Sequence, residues 1–163
     1  MAKIVKNVIW RPHPRQAAFL KRREYEALYG GAGGGGKSDA ALMLPLYWVH
    51  IGHFKALILR KTYPELSELI DRSRACYAQA FPAAKYNAQE HRWTFPSGAT
   101  IAFGSMHTSD DREKYRGRQF DVIVFDELTH FTWEEYSFMF SRNRPSGPGT
   151  FVCMRATTNP GGI

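Results

Sequence analysis

Six of the chain's fourteen glycines fall in the seven positions from Gly30 to Gly36, and Lys37-Ser38 follow at once. From Gly31 to Ser38 the spacing is GxxxxGK[ST], that of a loop which cradles phosphates. Glycine's lack of a Cβ lets such a backbone turn its N–H groups inward around β- and γ-phosphates, while Lys37 adds positive charge and Ser38 offers a hydroxyl to Mg2+. Gly31, Gly33, Gly34, Gly35, Gly36, Lys37 and Ser38 are therefore candidate nucleotide-binding residues, and Ser38 is also a candidate metal ligand. The motif requires a strand before it and a helix after it. Ala27-Leu28-Tyr29 reads as a short buried strand, and Ser38 to Leu44 favour or tolerate a helix that Pro45 kinks or ends.

A second reactive pair, Asp126-Glu127, stands directly after the apolar run Val122-Ile123-Val124-Phe125. The C-terminal end of a buried strand is where open α/β sheets bind ligands. Beside a phosphate loop this is the Walker B arrangement, with Asp126 to hold Mg2+ and Glu127 to position and deprotonate the attacking water. Thr157, Thr158 and Asn159 end a further strand; they could bond the γ-phosphate or the water and sense phosphate loss, or simply turn into Pro160-Gly161. The Gln16 amide can donate to and accept from an adenine edge, although without context Gln16 reads as a surface helix residue. Arg116 and Arg118 lie shortly before the Asp126 strand. Their guanidinium groups could serve a transferring phosphoryl group, a nucleic-acid contact or a solvated loop, and residue type does not separate these.

Regular elements must hold these groups. Arg15 to Arg23 has helical spacing, and Lys55 to Arg60 reads as a strand, followed by a turn and helix start at Thr62-Tyr63-Pro64 with Leu66, Leu69, Ile70 and Tyr77 on one face. His91 to Phe95 and Ala99 to Phe103 flank Pro96-Ser97-Gly98 as a β-hairpin. The polar run Met106 to Gln119 reads as a short helix in a surface loop, and Asp121 to Glu127 and Thr150 to Thr157 as strands. Strands that alternate with helices, several of them continuous apolar runs, imply an α/β fold with a largely parallel sheet covered on both faces.

At 163 residues, 44% hydrophobic and 23% charged, the chain fits one domain of ordinary globular composition. A net charge of +7 and a pI near 9.6 suit polyanionic partners without identifying one. The apolar runs are too short to span a bilayer and no signal-peptide pattern opens the chain, so the expectation is a cytosolic protein without membrane contact. Cys76 and Cys153 lack any CxxC pattern and read as free thiols. His50 and His53 read as a solvated helix end rather than a metal pair.

Pro14-Arg15-Gln16, the GGAGGGGKS loop, Leu59-Arg60-Lys61-Thr62, Tyr115-Arg116-Gly117 before Val122 to Glu127, the continuation Leu128-Thr129-His130-Phe131, and Ala156 to Pro160 together resemble the ATPase domain of tailed-phage terminase large subunits. The resemblance runs through nearly the whole chain. It implies a P-loop NTPase fold of the ASCE type with a β-hairpin insertion, ATP and Mg2+ as cofactors, and a motor that packs double-stranded DNA into a viral procapsid. Portal protein, a small terminase subunit and an oligomeric ring of the full-length chain are the implied partners, in the host cytoplasm at the procapsid portal. By the same likeness Gln16 contacts adenine, Thr157, Thr158 and Asn159 form the coupling motif, and Arg116 is the leading candidate for a finger acting between subunits. Many family members carry a basic residue inside the phosphate loop. This loop has none, so that role moves to Arg116 or Arg118. Family members also continue into a nuclease domain, whereas this chain stops at Ile163, so the expectation is one P-loop ATPase domain over 1–163, truncated after the coupling motif and without nuclease activity. A helicase-like ATPase and a nucleotide-binding module without turnover remain the alternative readings.

Overall fold

The computed structural model describes residues 8–32 and 36–159; Gly33, Gly34, Gly35 and the Pro160-Gly161 turn lie outside these. The regular elements are α1 (Pro14–Leu20), β1 (Glu26–Gly30), α2 (Lys37–Met43), β2 (Lys55–Arg60), α3 (Tyr63–Ala80), β3 (Lys85–Asn87), β4 (Arg92–Thr94), β5 (Thr100–Ser105), β6 (Val122–Phe125), α4 (Trp133–Phe138) and β7 (Cys153–Thr158). Short 3-10 turns occupy Leu44–Trp48, Ser109–Tyr115, Leu128–His130 and Met139–Arg142.

All strands join one sheet in the order β1-β7-β6-β2-β5-β4-β3. From β1 to β5 across this sheet the pairings are parallel, whereas β4 and β3 add to β5 antiparallel. The chain leaves β2 toward β5 but leaves β6 toward β7, so the β2–β6 boundary is a switch point, where open α/β sheets place their ligands.

Continuous apolar runs form the central strands because both sheet faces are covered and successive side chains point to opposite faces. In β2, Ala56 and Ile58 pack with Val122 and Val124 of β6 on the face shared with Ala40, Leu42, Leu66 and Leu69 of α2 and α3. Leu57, Leu59, Ile123 and Phe125 line the other face with Met139 and Tyr115. Thr62 precedes α3 in extended conformation and a proline sits in its first turn, which supplies the φ that a helix start needs. The Trp93 indole donates to Ser73 Oγ at 2.9 Å, and the Tyr77 hydroxyl donates to the Leu42 carbonyl, so α3 ties the hairpin to α2.

Several expectations need adjusting. β1 is not a buried strand: it forms a sheet edge paired only with β7 among the described residues, and Leu28 is 58% exposed. Pro45 ends the α-helical hydrogen bonding at Met43, and the chain continues as a 3-10 turn. The polar run after Met106 is a 3-10 turn rather than an α-helix. The short strand β3 and helix α4 had no counterpart in the sequence reading. α4 is nevertheless announced by Thr132-x-x-Glu135, a capping box in which each side chain accepts from the other residue's backbone N–H.

Cys153 lies fully buried in β7, and burial pushes its thiol up to about 11. Half-buried Cys76 is raised by the same cause. A raised thiol value leaves less reactive thiolate at a given pH. At pH 8 iodoacetamide should therefore modify Cys76 slowly and leave Cys153 untouched in the native protein, with both modified in urea; mass spectrometry reads the two sites separately, and equal native rates would contradict the burial of β7.

Candidate active site

Parallel pairing brings the C-terminal ends of β1, β7, β6 and β2 to one edge of the sheet. Gly31, Asp126, Thr157 and Arg60 therefore meet there, although up to 126 residues separate them along the chain. Gly36 caps α2 in the left-handed region at φ 70°, and a Cβ there would collide with the Gln16 amide nitrogen, so both the backbone and the neighbour call for glycine. Lys37, 6% exposed, folds its ammonium back onto the Gly31 and Ala32 carbonyls at 3.0 and 2.8 Å. Positive charge thus stands at the mouth of the loop.

Gln16 is buried, unlike a surface helix residue. Its Oε1 accepts from the His13 N–H at 2.9 Å, completing a capping box for α1, and its Nε2 donates to the Gly36 carbonyl at 2.8 Å. The amide therefore ties α1 to the phosphate loop and retains one N–H for another acceptor.

Asp126 is fully buried and its carboxylate is shared by three elements. Thr157 Oγ1 donates to Oδ1 at 2.6 Å, Ser38 Oγ lies 3.0 Å from Oδ2, and Arg60 Nε donates to Oδ2 at 2.5 Å. A second guanidinium nitrogen of Arg60 reaches Ser38 Oγ at 3.3 Å. Mg2+ takes one or two carboxylates, a hydroxyl and phosphate oxygens while keeping several waters, so Ser38 and Asp126 suit it as ligands. Among the described residues no group of three or more His, Cys, Asp or Glu gathers to form an all-protein metal cage.

Glu127 has φ 62° and ψ 58°, a left-handed conformation that is strained for a residue with a side chain. Its backbone N–H donates to Thr157 Oγ1 at 3.1 Å, and Asn159 Nδ2 donates to its carboxylate oxygens at 3.1 and 3.3 Å. Strain of this kind persists where surrounding contacts over-determine it, and it clusters at functional positions. His130 lies 3.9 Å from the same carboxylate and 3.8 Å from that of Glu65. Thr157 thus holds both acidic residues. The hydroxyl of Thr158, the last residue of β7, reaches only the Asn159 carbonyl, at 3.4 Å, among the described residues.

Arg116 stays apart from this constellation. Its guanidinium donates to Glu113 through two bonds of 2.6 and 2.9 Å on an exposed turn and holds the Glu113 carboxyl below its ordinary value. Arg118 lies over the Tyr115 and Phe120 rings. The arginine that does enter the site is Arg60. In sequence it is only the end of a strand, because it is the β2–β6 pairing that brings it beside Asp126. Lys61, the next residue, forms a 2.6 Å ion pair with fully buried Glu135, which also accepts from Ser109 Oγ.

A phosphate loop after β1, an acidic pair after β6 and a polar strand end on β7 between them define a P-loop ATPase fold of the ASCE type. The chain belongs to a family within that class, the terminase large subunit, T4likevirus-type, N-terminal, whose model matches residues 28–162. Among solved structures, the Thermus phage P74-26 large terminase ATPase domain is similar over 93% of this chain and 66% of its own, with 16% identity and a TM-score of 0.68. The HK97 bacteriophage large terminase matches 91% of this chain and 33% of its own at 9% identity and a TM-score of 0.70. A large terminase from a thermophilic bacteriophage, solved in complex with ATP-γ-S, matches 90% and 38% at 14% identity and a TM-score of 0.68. The chain thus spans about two thirds of the first relative and well under half of the other two. No curated protein sequence matches it. Among the described residues no helix is long and apolar enough to cross a membrane.

If Thr157 bridges the acidic pair as described, Thr157→Val, which keeps the shape and removes the hydroxyl, should cost about 1–3 kcal/mol in urea unfolding. Thr158→Val should cost less than about 0.5 kcal/mol. Equal costs would show that the bridge contributes nothing particular.

Proposed function

We propose that this domain binds ATP with Mg2+ at the loop between β1 and α2, hydrolyses it, and in the complete terminase drives double-stranded DNA into a procapsid. The observation that carries this reading is the convergence of Ser38, Asp126, Thr157 and Glu127 through hydrogen bonds at the C-terminal edge of a parallel sheet. Gly31, Gly33, Gly34, Gly35 and Gly36 give the phosphates a backbone cradle, Lys37 exchanges its carbonyl partners for phosphate oxygens, and Gln16 offers its remaining N–H to adenine. Ser38 and Asp126 are the ligands for Mg2+, which when bound screens the phosphate charge. Glu127 takes the proton from the attacking water, with its carboxylate oriented by Asn159. Loss of the γ-phosphate is felt at Thr157, Thr158 and Asn159, whose strand lies between the phosphate-loop strand and β6.

Arg116 serves a neighbouring subunit in this reading. It sits on an exposed turn, 71% accessible, and its ion pair is with a local glutamate, so it is available to an adjacent site when subunits form a ring. The net positive charge suits DNA, and the portal and small subunit are the remaining partners of such a motor in the host cytoplasm.

Lys37→Ala should sharply weaken binding of a fluorescent ATP analogue, whereas Glu127→Gln should preserve binding and lower turnover of the full-length protein by roughly two orders of magnitude or more. Equal binding by Lys37→Ala and the parent would remove the loop assignment, and unchanged turnover in Glu127→Gln would remove the base.

For the finger, full-length Arg116→Ala and Glu127→Gln subunits, each nearly inactive alone, should partly restore ATPase activity when mixed. The base of one subunit then works with the finger of the next, a contribution worth ~10³-fold or more. No recovery in rings shown to be mixed would assign Arg116 to its own subunit or to DNA.

A further inference from the structure

Arg60 contacts both side chains that the nucleotide reading assigns to the metal. Its Nε lies 2.5 Å from Asp126 Oδ2, and its terminal nitrogen 3.3 Å from Ser38 Oγ. The side chain is only 12% accessible and the carboxylate not at all, so the pair is shielded from water. A buried carboxylate needs a compensating cation, and this arginine is the only one paired with Asp126 among the described residues. A guanidinium cannot lose its proton, so it can vacate the carboxylate only by moving. Ser38 and Arg60 already take Asp126 Oδ2 and Thr157 takes Oδ1, so a divalent cation bridging Asp126 Oδ2 and Ser38 Oγ competes directly with the guanidinium.

We propose that Arg60 is a resident cation of the metal position, which neutralises Asp126 before nucleotide arrives and must be displaced when a divalent cation enters. The proposal rests on the MgATP reading of this site. Displacement sets a threshold: the metal has to outcompete a charge-assisted hydrogen bond, so the site takes up cation weakly without phosphate oxygens to add their share. Once displaced, the guanidinium remains tethered to the last residue of β2, beside the loop that holds the phosphates. The site therefore acquires an arginine from its own chain although its phosphate loop contains none.

Mn2+ binding to the chain loaded with ATP-γ-S, followed by electron paramagnetic resonance, tests this on the parent, Arg60→Gln and Arg60→Lys. Arg60→Gln should bind Mn2+ roughly tenfold more tightly or better, since the competing charge-assisted bond is gone, while Arg60→Lys, which keeps the charge, should stay near the parent. In EDTA without nucleotide, Arg60→Gln should melt at a lower temperature than the parent. Equal or weaker Mn2+ binding by Arg60→Gln overturns the proposal and reduces Arg60 to a structural role. A second measurement needs no variant: the Arg60 Nε–H nuclear magnetic resonance signal should shift when Mg2+ is added to the parent loaded with ATP-γ-S, and an unmoved signal overturns the displacement. A parent that binds neither ATP-γ-S nor Mn2+ overturns the MgATP reading itself, an outcome distinct from a parent that binds both while Arg60 stays in place.

Discussion

The carboxylate of Asp126 is fully buried, and an unpaired charge there would cost several kcal/mol. Three chain segments supply what it needs: the Ser38 hydroxyl from the start of α2, the Arg60 guanidinium from the end of β2, and the Thr157 hydroxyl from β7. The last two reach it because β6 lies between β2 and β7 with all three strands parallel. The sheet order and the site are thus one constraint. A register slip of one residue on β7 would turn the Thr157 side chain to the opposite face and leave both acidic residues without their shared partner.

Glu127 shows how the constraint propagates. The chain must leave the buried strand sharply, and it does so through a left-handed residue that carries a side chain, at a cost on the order of 1–3 kcal/mol. The Thr157 bond to its N–H and the Asn159 bonds to its carboxylate hold it in place. Whatever shifts β7 therefore shifts the group assigned to activate water. This gives a physical route between the strand that lies beside the phosphate loop and the acidic pair.

Two consecutive cations, Arg60 at the end of β2 and Lys61 just after it, serve different partners. Arg60 pairs with Asp126 at the sheet edge, and Lys61 pairs with Glu135, which also caps α4 and accepts from Ser109 in the turn before β6. Glu135 is fully buried, so its pairing with Lys61 fixes α4 against the strand that carries Arg60. The helix after the acidic pair is thereby coupled to the C-terminal edge of the sheet by adjacent residues at the end of β2 and just beyond it.

Much of this protein is legible in its sequence because the determinants are local. Glycine crowding and the Lys37-Ser38 ending mark the phosphate loop, the four-residue apolar run marks β6 and the acids behind it, Pro-Ser-Gly marks the hairpin, and Thr62-Tyr63-Pro64 marks the start of α3. Local pattern does not reveal which strands adjoin. The exposure of β1, the bridge that Thr157 makes between two carboxylates and the entry of Arg60 into the site follow from strand order, and the burial of Gln16 against Gly36 from the packing of α1 on the phosphate loop. Helix α4 has a local capping box but only six residues, with Glu135 alone buried, too few to show an apolar helical period. An arginine at a strand end has the same sequence signature whether it faces solvent or a buried aspartate. Only the parallel pairing of β2 with β6 decides that, because the partner lies 66 residues away and reaches it across the sheet rather than along the chain.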